Sequence, residues 1–99
     1  MKNEKLNVLK QLLGCYFHQD WMDEFDSDED VLRAISISEP KEAILAGVAE
    51  IDDLLAEKIS EVDLKIILTE TVGCYFDPGS EQLTYQQWLM RVRQKLAQV

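Results

Sequence analysis

Apolar residues recur along this chain at the three- and four-residue spacing of an amphipathic helix. The strongest stripe follows Pro40 and consists of Ile44, Leu45, Val48, Ile51, Leu54 and Leu55. Residues 64–72 contain β-branched side chains that would suit a strand, but the chain offers no second strand to pair with them. The sequence therefore predicts an all-α fold, a small bundle of about five helices.

Two features place the first two predicted helices. Apolar residues at helical spacing predict an amphipathic helix from about residue 3 to about residue 17, followed by an irregular link over residues 18–26. Ser27 with Asp30 three positions later resembles a capping box, in which the Ser27 hydroxyl accepts a hydrogen bond from a backbone amide of the first turn. A second, short helix is expected to begin there.

Further start signals place the remaining helices. Ser38 or Glu39 is expected to cap the third helix, with Pro40 in its first turn, where a missing N–H costs nothing. Ser60 opens the fourth helix, and Thr84 with a glutamine three positions later caps the last. The inward face of that last helix is expected to carry Tyr85, Trp88, Leu89, Val92 and Leu96.

Length and charge narrow the class of protein. The 99 residues suit a single domain, expected to span residues 1–99. The 10 basic and 19 acidic residues give a formal net charge of −9, which repels phosphates and argues against direct nucleic-acid binding. A basic protein partner is favoured instead, although an acidic surface can also serve solubility alone.

The acidic residues are concentrated in one short run. Its members are Asp20, Asp23, Glu24, Asp26, Asp28, Glu29 and Asp30, with no Lys or Arg among them. Folding alone does not call for so many neighbouring like charges, because they repel one another. The same run carries Trp21, Met22 and Phe25, large apolar side chains that favour burial. Acidic and aromatic side chains together indicate a surface that binds a basic partner.

The sequence also bears on the compartment. No segment approaches the roughly 20 apolar residues of a membrane span, and the N-terminal residues lack a clean signal-peptide core. We therefore expect a cytoplasmic protein with no membrane contact. Cys15 and Cys74 fit free, buried thiols of a reducing compartment better than a disulfide framework.

The segment Gly-Cys-Tyr-Phe occurs twice, at residues 14–17 and 73–76. In one interpretation each copy ends a helix, with glycine easing the termination and the aromatic residues turning back onto the core. In the other, both copies project aromatic and acidic tips onto one face. The sequence leaves both open.

Nothing in the chain predicts catalysis or a bound cofactor. Cys15 and His18 could be imagined as a nucleophile and base, but a thiol near a helix C-terminus lacks the positive field that lowers its pKa. The acids at 26, 28 and 30 begin like a calcium loop, yet Val31 and Ile37 stand where the glycine and the bidentate glutamate belong. We expect no enzyme, no metal and no cofactor.

The segment Tyr-Phe-His-Gln-Asp-Trp at residues 16–21 resembles the motif of a family of small CdiI-type immunity proteins from contact-dependent growth inhibition systems. The similarity continues at residues 73–78 and in the final helix at Tyr85, Trp88 and Leu89. This chain has Tyr75-Phe76 where the family motif has two tyrosines, which removes one hydroxyl.

The resemblance implies a cytoplasmic immunity protein that binds and neutralises the cognate CdiA C-terminal toxin domain, often a nuclease with a basic groove. Carboxylates would then occupy positions that phosphates take. The residues expected to contact the toxin are Asp20, Trp21, Asp23, Glu24, Phe25, Asp26, Asp28, Asp30 and Asp77. Phe17 and Trp21 could instead be core anchors, because a motif shared within a family can hold the fold together.

Two other functions remain open at this stage. A helical adaptor whose groove takes a partner peptide would bind through apolar contacts with little salt dependence. A small enzyme would lose activity on Cys15→Ala or His18→Ala without unfolding, and this has almost no support in the sequence.

Overall fold

A computed structural model describes residues 6–98, and within them every regular element is helical. The first and fifth α-helices each continue as a π-helical turn. The elements are α1 (Asn7–Leu9, continuing over Lys10–Gly14), α2 (Trp21–Glu24), α3 (Asp28–Ser38), α4 (Lys41–Ala56), α5 (Glu61–Ile66, continuing over Ile67–Val72), a 3₁₀ turn (Pro78–Glu81) and α6 (Tyr85–Leu96). The predicted all-α fold is confirmed.

The first helix and the link after it differ partly from expectation. The predicted start of α1 near residue 3 lies outside the described residues, while its last turn reaches Phe17, whose amide donates to the Leu13 carbonyl at 2.8 Å. The link was expected to be irregular, and this is wrong for α2, which forms a single helical turn. Four residues are too few to display a helical period, so no local pattern predicts this turn.

Three of the predicted N-caps are present. The hydroxyls of Ser27 and Ser60 each accept a hydrogen bond from a backbone amide three residues later, at 3.2 Å. At α6 the capping box is complete, because Thr84 accepts from the Gln87 amide at 3.0 Å and the Gln87 side chain accepts from the Thr84 amide at 2.9 Å. Local chemistry therefore fixes three of the helix starts.

The predicted cap of α4 is wrong. Ser38 is the last residue of α3, Glu39 follows it, and Pro40 takes the N-cap position with no side-chain cap. Proline restricts the preceding residue to an extended conformation, and Glu39 has φ −98° and ψ 148°. Pro40 therefore sets the break between α3 and α4, and Glu39 is the single residue between the end of α3 and the proline.

One hydrophobic core joins the helices. Its fully buried members include Leu9, Leu12 and Leu13 of the first helix, Ile35, Ile44, Ile51, Leu68, Trp88, Leu89, Val92 and Leu96. The inward face predicted for α6 is confirmed, with Tyr85 only partly buried at its edge. In α4 the buried stripe of apolar side chains is narrower than predicted, because Leu45 is 45% exposed.

The two Gly-Cys-Tyr-Phe copies lie against each other at the ends of the first and fifth helices. A Cβ on Gly14 would stand 2.3 Å from the Val72 carbonyl oxygen, so only glycine permits this approach. The Tyr75 amide donates to the Phe17 carbonyl at 2.8 Å, and Gly73 ends its helix at φ +80°. The repeat therefore ends two helices, as the first interpretation predicted, although Tyr75 faces solvent and does not turn back onto the core. The contact between the two copies was not predicted.

The cysteines of the two copies differ. Both are free, but Cys74 is buried and Cys15 is exposed, so the expectation of two buried thiols is wrong for Cys15. Burial raises the pKa of the Cys74 thiol to about 12. Among residues 6–98, no helix has both the length and the apolar character needed to cross a bilayer.

Candidate functional site

The aromatic residues of the first motif belong to a buried ring cluster. Phe17 lies edge-on to Trp21 and to Trp88, with centroid separations of 5.3 Å in both pairs. Phe76, from the second copy of the repeat, stacks on Trp88 at 4.7 Å and lies 5.7 Å from Trp21. Because Phe17 is fully buried and Trp21 is only 7% exposed, both residues anchor the core.

Asp28 is also part of the interior. Its side chain is 1% exposed, and one carboxylate oxygen accepts from the Trp88 indole N–H at 2.9 Å and from Arg91 at 3.1 Å. Arg91 donates as well to Glu81 at 2.9 Å, and hydrogen bonding to Glu81 and then to Asp28 raises the pKa of this arginine. Asp28 was expected to contact a partner, but its burial and its partners give it a structural role.

The other predicted acids are accessible to different degrees. Asp20, Asp23 and Asp26 are exposed, and within residues 6–98 no basic side chain forms an ion pair with any of them. Glu24 is exposed and lies 2.9 Å from His18 Nε2. Asp30 is half-buried in the first turn of α3 and lies 3.6 Å from Arg33.

A groove brings part of the predicted set together. It has a volume of about 520 Å³ and lies between α2 with its flanking residues and the segment from Tyr75 to Glu81. Five of the predicted residues line it, namely Trp21, Phe25, Asp26, Asp28 and Asp77. The other four, Asp20, Asp23, Glu24 and Asp30, are not among its lining residues.

The second copy of the repeat supplies the far wall of the groove. The hydrogen bond from the Tyr75 amide to the Phe17 carbonyl places the residues that follow Tyr75 beside α2. Asp77 then begins the 3₁₀ turn, where its carboxylate accepts from the Gly79 amide at 3.0 Å. The structure thus joins two acidic segments that are about 50 positions apart in the sequence.

Six of the eleven residues that line the groove were not in the predicted contact set, and Met22, Tyr75 and Glu81 are among them. Met22 is 72% exposed and Tyr75 is 58% exposed, so both present apolar surface to solvent. Glu81 lines the groove while it binds Arg91. The repeat pairs Tyr75 with Tyr16 but does not reveal how they differ, since Tyr16 is partly buried and its hydroxyl donates to Glu39 at 2.9 Å. Met22 belongs to the acidic and aromatic run but was not included in the predicted contact set, and no sequence signal distinguished Glu81.

The imagined cysteine–histidine pair has no support in the geometry. Cys15 and His18 both line a separate pocket of about 400 Å³, but the ring nitrogens of His18 contact Glu24 and the Asp20 amide instead. Burial, and then the hydrogen bond to Glu39, raises the pKa of Tyr16 in the same pocket. Within the described part of the chain, no cluster of His, Cys, Asp and Glu is placed to hold a metal ion.

Comparison with known families decides the class of the protein. The model of the CdiI immunity protein family matches residues 5–96. The chain belongs to this CdiI family. The resemblance inferred from the motif at residues 16–21 is therefore confirmed, and two of the six motif residues, Phe17 and Trp21, belong to the ring cluster.

A solved structure supports the CdiI assignment. A chain in the crystal structure of a CdiA-CT/CdiI complex from Y. kristensenii 33638 is 32% identical, with a TM-score of 0.86. The match covers 93% of this chain and 98% of that chain. Curated protein sequences gave no match.

Proposed function

We propose that this protein is an immunity protein that binds and neutralises the cognate CdiA C-terminal toxin domain. Membership of the CdiI family carries the proposal, and the similar chain from Y. kristensenii was crystallised in a CdiA-CT/CdiI complex. Its action is stoichiometric occupation of the toxin, with no chemical reaction, no cofactor, no direct contact with nucleic acid and no membrane association. The protein acts in the cytoplasm of the cell that it protects.

The charge distribution supports a basic surface on the toxin. The net charge is −9, and Asp20, Asp23 and Asp26 are exposed in and around a single short helix. Complementary charge accelerates encounter between two proteins and disfavours other partners. We propose that these carboxylates face basic groups of the toxin, and that the toxin is a nuclease whose phosphate-binding groove supplies those groups.

Co-expression tests the function directly. The candidate toxin is the C-terminal domain encoded by the adjacent upstream reading frame. If the domain kills cells when expressed alone and is harmless beside this protein, neutralisation is established. If cells die equally in both cases, this pairing and the proposed function are rejected.

Charge reversal tests the electrostatic part. The variant Asp20→Lys/Asp23→Lys should lower the association rate by about 10-fold or more at low salt, because steering by complementary charge contributes 10-fold to 1,000-fold. The matched control is Asp53→Lys/Asp63→Lys, which changes two exposed acids on α4 and α5 by the same charge. Stopped-flow mixing at several salt concentrations gives the rates. Equal rates for both double variants would reject a steering role for this acidic segment.

A further inference from the structure

The groove beside α2 has a composition that points to one kind of occupant. Its walls carry the exposed apolar side chains of Met22 and Tyr75, and its inner surface includes the buried ring of Phe76. Asp26 and Asp77 are exposed at the same groove. A concave surface of about 520 Å³ that combines aromatic walls with carboxylates suits a side chain that is both cationic and planar.

Four carboxylates line the groove, and two of them form ion pairs within the protein. Asp28 and Glu81 are both bound to Arg91. No lysine or arginine within the described residues lines the groove, and none pairs with Asp26 or Asp77 there. One oxygen of Asp77 accepts from the Gly79 amide, and no bond within residues 6–98 engages its second oxygen. Two carboxylates therefore remain available for a cation from outside.

We propose that this groove receives an arginine side chain of the toxin domain, with its guanidinium between Asp26 and Asp77 and its plane against the Tyr75 ring. The proposal rests on the proposed function and identifies the anchor within it. Arginine fits better than lysine, because the guanidinium is planar, presents several donors in a fixed fork and stacks on aromatic rings. Met22 covers the aliphatic part of the same side chain.

Isosteric variants distinguish the contribution of this groove to binding from that of the protein's overall negative charge. Asp26→Asn/Asp77→Asn removes both charges while an amide oxygen can still accept from Gly79. The dissociation constant for the purified toxin domain should rise about 30-fold or more, the equivalent of losing a desolvated charge pair. The matched control, Asp53→Asn/Asp63→Asn, changes the net charge by the same amount at positions away from the groove. Its dissociation constant should stay within about 3-fold of the wild-type value.

Two further measurements identify the occupant. Tyr75→Ala, at an exposed position, should weaken binding about 5-fold to 30-fold through loss of the cation–π contact. Each arginine of the toxin domain is then changed to alanine and to lysine and titrated against both the wild-type protein and the groove double variant. One arginine should lose its effect when the groove carboxylates are absent, and lysine should restore little of its affinity.

The outcomes are distinguishable by isothermal titration calorimetry. If wild-type protein binds the toxin tightly and the groove variant matches the control, the groove is not the anchor and the proposed function stands. If the groove carboxylates matter but no toxin arginine couples to them, the assignment of arginine is overturned. If the wild-type protein does not bind the toxin at all, the proposed function and this inference fail together.

Discussion

Replacing Asp28 by alanine should destabilise the protein more than replacing any exposed acid of the same run. Asp28 lies at the start of α3, yet its carboxylate is 1% exposed and joins that helix to Trp88 and Arg91 of α6. Alanine removes the acceptor without supplying another group. The indole N–H, which belongs to a fully buried ring, then has no acceptor in that position.

The size of the effect follows from the three interactions that are lost. A buried N–H left without a partner costs about 1–3 kcal/mol. Losing the partner of a fully buried ion pair costs about 3–5 kcal/mol, but the Arg91 side chain is 31% exposed and keeps Glu81, so about 1 kcal/mol is appropriate here. An acid in the first turn of a helix contributes roughly another 0.3–1 kcal/mol. We expect a loss of about 3 kcal/mol in the free energy of unfolding.

Urea denaturation followed by tryptophan fluorescence measures this loss, because Trp21 and Trp88 are both buried in the native state. The melting temperature should fall by roughly 12–24 °C for a domain of this size. Asp26→Ala is the control and should change the free energy by about 0.5 kcal/mol or less, since Asp26 is exposed. Equal stabilities for the two alanine variants would refute the structural role of Asp28.

Three other predictions concern the repeated motif. Gly14→Ala should lower the free energy of unfolding by about 1–3 kcal/mol or more, because the new methyl group would lie 2.3 Å from the backbone oxygen of Val72. An unchanged urea midpoint would contradict that close approach. A thiol reagent at pH 8 should label Cys15 rapidly and leave Cys74 unmodified in the native protein, whereas equal labelling would contradict the burial difference. Because the folded-state pKa of Cys74 is raised from 9.0 to about 12, its contribution to stability is complete below pH 9 and is lost as the pH rises toward 12. Urea denaturation should therefore show a smaller loss of stability over this pH range for Cys74→Ala than for the wild-type protein.

Local sequence signals were sufficient for most of the fold. Ser27, Ser60 and Thr84 each cap a helix as predicted, because a cap depends on a hydroxyl and an amide three residues apart. The helix over residues 61–72 was also predicted correctly against its β-branched content, and no strand is present among residues 6–98 to pair with it. The cap of α4 was wrong, because the pattern did not reveal that α3 runs to Ser38 before Pro40 breaks the chain.

The candidate site was predictable only in part. Composition identified the acidic and aromatic run, but it treated all the acids alike. Asp26 is exposed and Asp28 is buried two positions later, a difference that arises from contacts with Trp88 and Arg91 of α6, 60 and 63 positions away in the chain. Tyr75 and Met22 form part of the groove because of where α2 and the second repeat copy meet.

By itself, the sequence determined the helical class, three of the helix caps, the family and the sign of the charge, because each depends on residue type or on short-range spacing. Only the tertiary structure decided which carboxylates face solvent and which neutralise Arg91. It also decided that the two Gly-Cys-Tyr-Phe copies meet, so that Asp26 and Asp77 line the same groove. Burial and long-range pairing depend on which faces of separate helices touch, and no local pattern encodes that contact.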